Sequence, residues 1–140
     1  MPTIHEVGAV FVAVSDQEQA LAFYVDTLGF EKRVDFVYGG SLRWLEVAPK
    51  GAKNTIALVP PREGPRVASD HAICAFATDD LEGQHAALKK KGVTIDAEIA
   101  GKGSSRQGLI GLKARVENPV PAQFFFRDPD GNRFLMVPTG

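Results

Sequence analysis

Apolar positions along the chain follow two rhythms. Residues 7–14 are rich in valine and form an almost unbroken apolar run, which predicts a strand buried on both faces or nearly so. Asp16 closes the run, and Ala20, Leu21, Tyr24, Val25 and Leu28 then recur at spacings of three and four. That spacing predicts a helix with Asp16 as N-cap, its carboxylate accepting from free first-turn amides, and Gly29 as the stop. Three β-prone stretches follow, 30–36, 41–47 and 55–59, separated by Gly39-Gly40 and Pro49-Lys50-Gly51 and ended by Pro60-Pro61. The order is β-α-β-β-β.

Residues 60–69 have the composition of a linker, and the pattern then begins again. Residues 72–77 read as a short apolar strand, Asp79-Asp80 as caps, and Leu81, His85 and Leu88 as a helix with His85 exposed. That helix ends at Lys89-Lys90-Lys91-Gly92, where the lysines suit the negative end of its dipole, and residues 93–95 open a new strand. Superposing Asp16 on Asp79 also superposes Gly29 on Gly92, an internal duplication of strand, cap, helix and glycine stop. Near the end, Phe124-Phe125-Phe126 and Phe134-Leu135-Met136-Val137 flank Asp128-Pro129-Asp130-Gly131-Asn132 and predict a β-hairpin. Between 99 and 123 lies a glycine-rich stretch with Lys102, Arg106, Lys113 and Arg115, too long for a simple connection. It reads as a solvated basic insertion, or as a lid from which Arg106 or Arg115 meets a ligand carboxylate or phosphate.

Composition narrows the partners. The chain has 140 residues, 44% hydrophobic and 24% charged, with formal net charge −1, so one globular domain is expected and no global field recommends nucleic acid or an anionic membrane. Cys74 is the single cysteine and has apolar neighbours, so it reads as a buried small hydrophobe in a reducing cytoplasm. There is no apolar run of 18 residues, and His5 and Glu6 stand where a signal peptide would need a basic region and an apolar core.

Taken together, strand-Asp16-helix ending Phe23-Tyr24, then Leu28-Gly29-Phe30, then Asp79-Asp80-Leu81 with Lys91-Gly92-Val93, then Phe126-Arg127-Asp128-Pro129-Asp130-Gly131-Asn132, occur in an order that resembles the vicinal oxygen chelate superfamily. That superfamily holds glyoxalase I, bleomycin-resistance proteins, fosfomycin-resistance enzymes and extradiol dioxygenases. The resemblance implies an α+β fold, two tandem βαβββ units forming a curved mixed-sheet cup, with unit 1 at about 5–60 and unit 2 at about 70–138 of a single domain. It implies homodimers, and in the enzymes a divalent metal held by one His, Glu or Gln from each of four strands, able to polarise vicinal substrate oxygens.

Carried onto this chain, the four ligand positions fall on Ala9, Ala57, Ile73 (or Cys74 on a shifted register) and Leu135. None of the four is a His, Glu or Gln, so no metal or other cofactor is expected. By strand parity the cup takes in Phe11, Ala13, Thr55, Ala57, Ala75 and Leu135, with His71 and Arg133 nearer the rim. Trp44 is either core packing or an aromatic wall on which a flat ligand stacks. The leading expectation is a cytoplasmic, metal-independent protein that binds an apolar or aromatic small molecule through His71, Trp44, Phe11, Arg133 and Arg115. The alternative is a glyoxalase-like lyase or isomerase, or a dioxygenase, using a divalent metal or His71 as base. A third reading is a structural domain with Trp44 fully packed and no ligand.

Overall fold

A computed structural model describes residues 2–60, 71–101 and 122–139. The first apolar rhythm becomes β1 (Ala9–Ala13), α1 (Gln17–Ala22) continued by a π-helical turn (Phe23–Thr27), β2 (Glu31–Tyr38), β3 (Leu42–Ala48) and β4 (Thr55–Val59). The second becomes β5 (Ala72–Thr78), α2 (Leu81–Lys90), β6 (Thr94–Ile95), β7 (Phe124–Arg127) and β8 (Arg133–Pro138). The chain divides into two compact units, Met1–Val67 and Ala68–Gly140, each holding one four-stranded mixed sheet. Strand order is β1-β4-β3-β2 in the first and β5-β8-β7-β6 in the second. In both, the outer pair (β1 with β4, β5 with β8) is parallel and the remaining pairings are antiparallel. The α+β class and the βαβββ order expected from the sequence are those observed.

Duplication extends to register. Phe11 pairs with Ala57, Val12 with Leu58 and Ala13 with Val59; at the corresponding places Ala75 pairs with Leu135, Phe76 with Met136 and Ala77 with Val137. The equivalence requires Asp16 to match Asp80, not Asp79. Asp80 is the cap in fact, its Oδ1 accepting from Gly83 N at 2.9 Å, as Asp16 Oδ1 accepts from Glu18 N at 2.9 Å and Gln19 N at 3.1 Å. The interval from cap to the left-handed glycine is then one residue longer in the first unit, where Gly29 has φ 81° and Gly92 has φ 82°. The π-turn takes up that residue: Leu28 N donates to Phe23 O five positions back, and Phe30 N to Tyr24 O, whereas in the second unit Val93 N donates to Leu88 O.

Each helix covers one face of its own sheet. In the first unit Val12, Leu45, Val47, Ile56 and Leu58 are buried, with Ala20, Phe23 and Tyr24 from the helical segment. The π-turn brings Phe23 inward, a position the three-four spacing had passed over, while Leu21 and Val25 stay half-buried. The strand expected to be buried on both faces is buried on one: Val12 is fully covered and Phe11 is 64% exposed, because none of the described residues of its own unit covers the side away from α1. In the second unit Phe124, Phe126, Phe134 and Met136 are buried with Leu81 and Leu88. His85 is half-buried and not exposed as expected; its ring lies edge-on to Phe124 at 5.0 Å and its Nε2 is 2.7 Å from Asp96 O.

The β7–β8 hairpin closes on Asp128. The Asp128 side chain is 5% exposed in residue terms and accepts three bonds, Oδ1 from Asp130 N (3.0 Å) and Asn132 N (2.8 Å), and Oδ2 from Asn132 Nδ2 (2.7 Å). Substituting it strands three donors, two of them on a residue only 1% exposed. Asp128→Ala is therefore expected to lower stability by roughly 2–3 kcal/mol in urea unfolding, and a loss below about 0.5 kcal/mol would show the turn to be held by its backbone alone.

Candidate functional site

Residues paired across strands share a face, so the register assigns the side of each sheet that its helix leaves open. In the first unit that face carries Ala9, Phe11 and Ala13 from β1, Thr55 and Ala57 from β4, Leu42, Trp44 and Glu46 from β3, and Val34, Phe36 and Tyr38 from β2. It is strongly apolar and open: Phe11 is 64%, Phe36 52%, Leu42 48% and Tyr38 44% exposed. Ala57, between Phe11 and Glu46 in one row, has too small a side chain to separate its neighbours. Across it the Phe11 and Trp44 rings meet edge to face, centroids 6.0 Å apart at 81°. Trp44 is half-buried and so not the fully packed core residue of the third reading.

A carboxylate, that of Glu46, sits among these rings. Glu46 Oε2 accepts from Trp44 Nε1 at 2.5 Å and Oε1 accepts from Thr55 Oγ1 at 2.6 Å. The two bonds orient the carboxylate and fix the indole plane together. On the helix side of the same sheet the charges satisfy one another: Arg43 donates to both oxygens of Asp35 at 2.8 Å and to Glu18 at 2.6 Å. The Arg43 guanidinium holds the Asp35 carboxyl well below the usual carboxylate range.

The open face of the second unit is built at the equivalent positions with other side chains. Ala75, Leu135 and Val137 occupy it, and Phe125, paired with Leu135, stands where Glu46 stands in the first unit. Arg133, the counterpart of Thr55, lays its guanidinium 3.7 Å over the Phe125 ring. The backbone beside this pair is fixed by Asp96, whose Oδ2 accepts from Phe125 N at 2.9 Å and whose burial pushes its carboxyl upward. Of the Phe124-Phe126 run, only the middle ring reaches the open face, the flanking two being buried.

The structure thus places Phe11 and Trp44 in contact on one face, and Arg133 against Phe125 in the other unit. His71 is an exposed bend residue just before β5, and the register shift between Ala72 and Ala75 interrupts the alternation that had linked it to Ile73. Arg106 and Arg115, with the rest of the glycine-rich stretch from 102 to 121, lie outside the described residues. Sequence reasoning placed Thr55 in the cup but missed Glu46 and the bond between the two. The signal for Glu46 was its position two residues after Trp44 in one strand, which puts both on the same side. Its bond from Thr55 needed the β3–β4 register.

The four positions to which the resemblance assigns metal ligands do not suit a cation. Ala9, Ala57 and Leu135 face the open side with no donor atom, Ile73 has none, and among the described residues no group of three or more His, Cys, Asp or Glu could hold a metal. Cys74 beside Ile73 is a poor thiolate, since burial pushes its thiol up to about 11.

A model of the Glyoxalase/Bleomycin resistance protein/Dioxygenase superfamily matches residues 4–136. The chain is 30% identical over 133 residues to the uncharacterized protein YetH of Bacillus subtilis (strain 168), covering 95% of this chain and 98% of that one. Among solved structures it is similar to TnmS3, an antibiotic binding protein from Streptomyces sp. CB03234, with 32% identity, complete coverage of both chains and TM-score 0.72. It is also similar to a superfamily member from Sphaerobacter thermophilus DSM 20745, with 30% identity, 97% and 98% coverage and TM-score 0.74.

The raised Cys74 thiol gives a direct check on the second unit. Alkylation by iodoacetamide at pH 8 is expected to run at least about tenfold slower in the folded chain than in urea, the gap closing as pH rises toward 11. Equal rates at pH 8 would show that the thiol is not desolvated.

Proposed function

The chain belongs to the glyoxalase/bleomycin resistance protein/dioxygenase superfamily, and from that membership we propose that it is a metal-independent binder of apolar, aromatic small molecules. The observation that carries this is the open face of the first sheet. A soluble sheet normally turns polar side chains outward where no helix covers it, yet here Phe11, Trp44, Phe36, Tyr38 and Leu42 share the uncovered side. Edge-to-face Phe11 and Trp44 offer a preformed wall for a flat ring system, with little side-chain entropy left to lose on binding. The similarity to an antibiotic binding protein supports the same reading. In this reading binding sequesters the compound and needs no chemistry, which agrees with ligand positions held by Ala9, Ala57, Ile73 and Leu135.

We further propose that the chain acts as a homodimer in the cytoplasm. Support for the first is the long outer strand β2 and its hairpin tip, where Phe36, Val37, Tyr38 and Leu42 are all exposed. Support for the second is the free thiol of Cys74.

Two measurements test these readings. Thermal unfolding of the full chain against planar polycycles (anthraquinone, acridine and naphthoquinone scaffolds) is expected to show saturable stabilisation that EDTA leaves unchanged. Phe11→Ala and Trp44→Ala should each weaken the binding by about tenfold or more. Stabilisation by divalent metals and by none of the polycycles would overturn the proposal in favour of a metalloenzyme. Separately, light scattering should give the mass of two chains, and Tyr38→Lys should shift it toward one; a monomeric wild type would refute the dimer.

A further inference from the structure

Glu46 is an odd residue for a purely apolar binding face. It is half-buried and lies among Phe11, Trp44 and Phe36, and among the described residues it takes part in none of the ion pairs of its unit. Among the described residues of this unit, the arginines and Lys32 pair elsewhere. Arg43 and Lys32 pair with Asp35 on the helix side of the sheet, and Arg33 donates to Glu31, Pro49 O and Ala52 O. Lys50 and Lys53 are exposed residues of the β3–β4 connection.

Withdrawing a carboxylate partly from water without a counter-charge is unfavourable, and the hydrogen bonds from Trp44 Nε1 and Thr55 Oγ1 offset that only in part. Each carboxylate oxygen accepts one of those bonds and keeps a further lone pair to accept from a ligand. The surrounding ring faces also favour positive charge, since the π-system of tryptophan and phenylalanine is negative above its plane. A carboxylate and aromatic faces on one surface are the two elements by which proteins hold an organic cation.

We infer that Glu46 is the specificity-determining residue of this face and that the ligand it selects is an aromatic compound carrying a protonated amine, the ring lying against Phe11 and Trp44 and the ammonium donating to Glu46. The inference rests on the aromatic binding face proposed above and names the class of compound that face prefers. The second unit emphasises the choice. At the position equivalent to Glu46 it has Phe125, covered by the guanidinium of Arg133, so the preference belongs to the first sheet and is not a consequence of the repeated fold.

The test is isothermal titration calorimetry of the full chain at pH 7 with three probes of one shape: 1-naphthylmethylamine, 1-naphthalenemethanol and 1-naphthoate. In the wild type the amine should bind about tenfold more tightly than the alcohol, with the carboxylate weakest. In Glu46→Gln, whose amide can still accept from Trp44 and donate to Thr55, the amine should fall to the level of the alcohol. The alcohol itself should change by less than about twofold, which also reports that the variant is folded. Equal binding of amine and alcohol by the wild type, or a preference that survives in Glu46→Gln, would overturn the role of Glu46 and leave the aromatic site standing. Failure of all three probes to bind would overturn the aromatic face itself. The wild-type series decides even where Glu46→Gln does not fold.

Discussion

Among the described residues each four-stranded sheet has one helix to cover it, and that is the constraint from which the rest follows. A sheet has two faces, and strand side chains alternate between them with a period of two. In each unit the described helix covers one, and the residues beneath it are fixed by packing: Val12, Leu45, Val47, Ile56 and Leu58 in the first, Phe124, Phe126, Phe134 and Met136 in the second. The other face is released from that requirement. In the first unit it is apolar at Phe11, Phe36, Tyr38 and Leu42 and carries the carboxylate of Glu46. Packing beneath the helix thereby constrains alternate residues along the same strands, so that it fixes Val12 and leaves Phe11, adjacent in sequence, exposed.

That alternation explains how much was legible beforehand. Strand and helix existence came from apolar periodicity, caps and glycine stops, and these depend on neighbours a few residues apart; hence Asp16, Gly29 and the hairpin around Asp128 were readable. Parity along a strand also assigned Phe11, Ala57 and Leu135 to one kind of face. Contacts across strands were not readable, because register such as that between β3 and β4 joins residues nine to eleven positions apart, Val47 with Ile56 and Glu46 with Ala57. The bond from Thr55 to Glu46 depends on that register, and the stacking of Arg133 on Phe125 depends on the register between β7 and β8. Burial of the first strand was misjudged for a related reason. An apolar run reports that both faces avoid polar groups, and it does so equally whether the second face is covered by protein or left open.

Two copies of one topology can keep their registers and still diverge in chemistry. Phe11 and Ala57 correspond to Ala75 and Leu135, while Glu46 and Thr55 correspond to Phe125 and Arg133. The backbone is held by ladder bonds that are indifferent to the outward side chains, so the open face can exchange an acceptor for a stacked cation without disturbing the pairing.

The π-turn at Phe23–Thr27 has a bearing on how the chain's history can be read. An added residue inside an α-helix would rotate everything beyond it by about 100° and carry Gly29 out of place. Here five-residue bonding swallows the addition locally, and the strands on either side keep their partners. An alignment of the two halves at constant spacing from the glycines therefore slips by one at the caps, pairing Asp16 with Asp79, and inverts the face of every β5 residue compared with β1. The insertion leaves no loop or gap to announce itself. Ancestry between such halves is better traced through strand pairing, which survived the change, than through residue spacing, which did not.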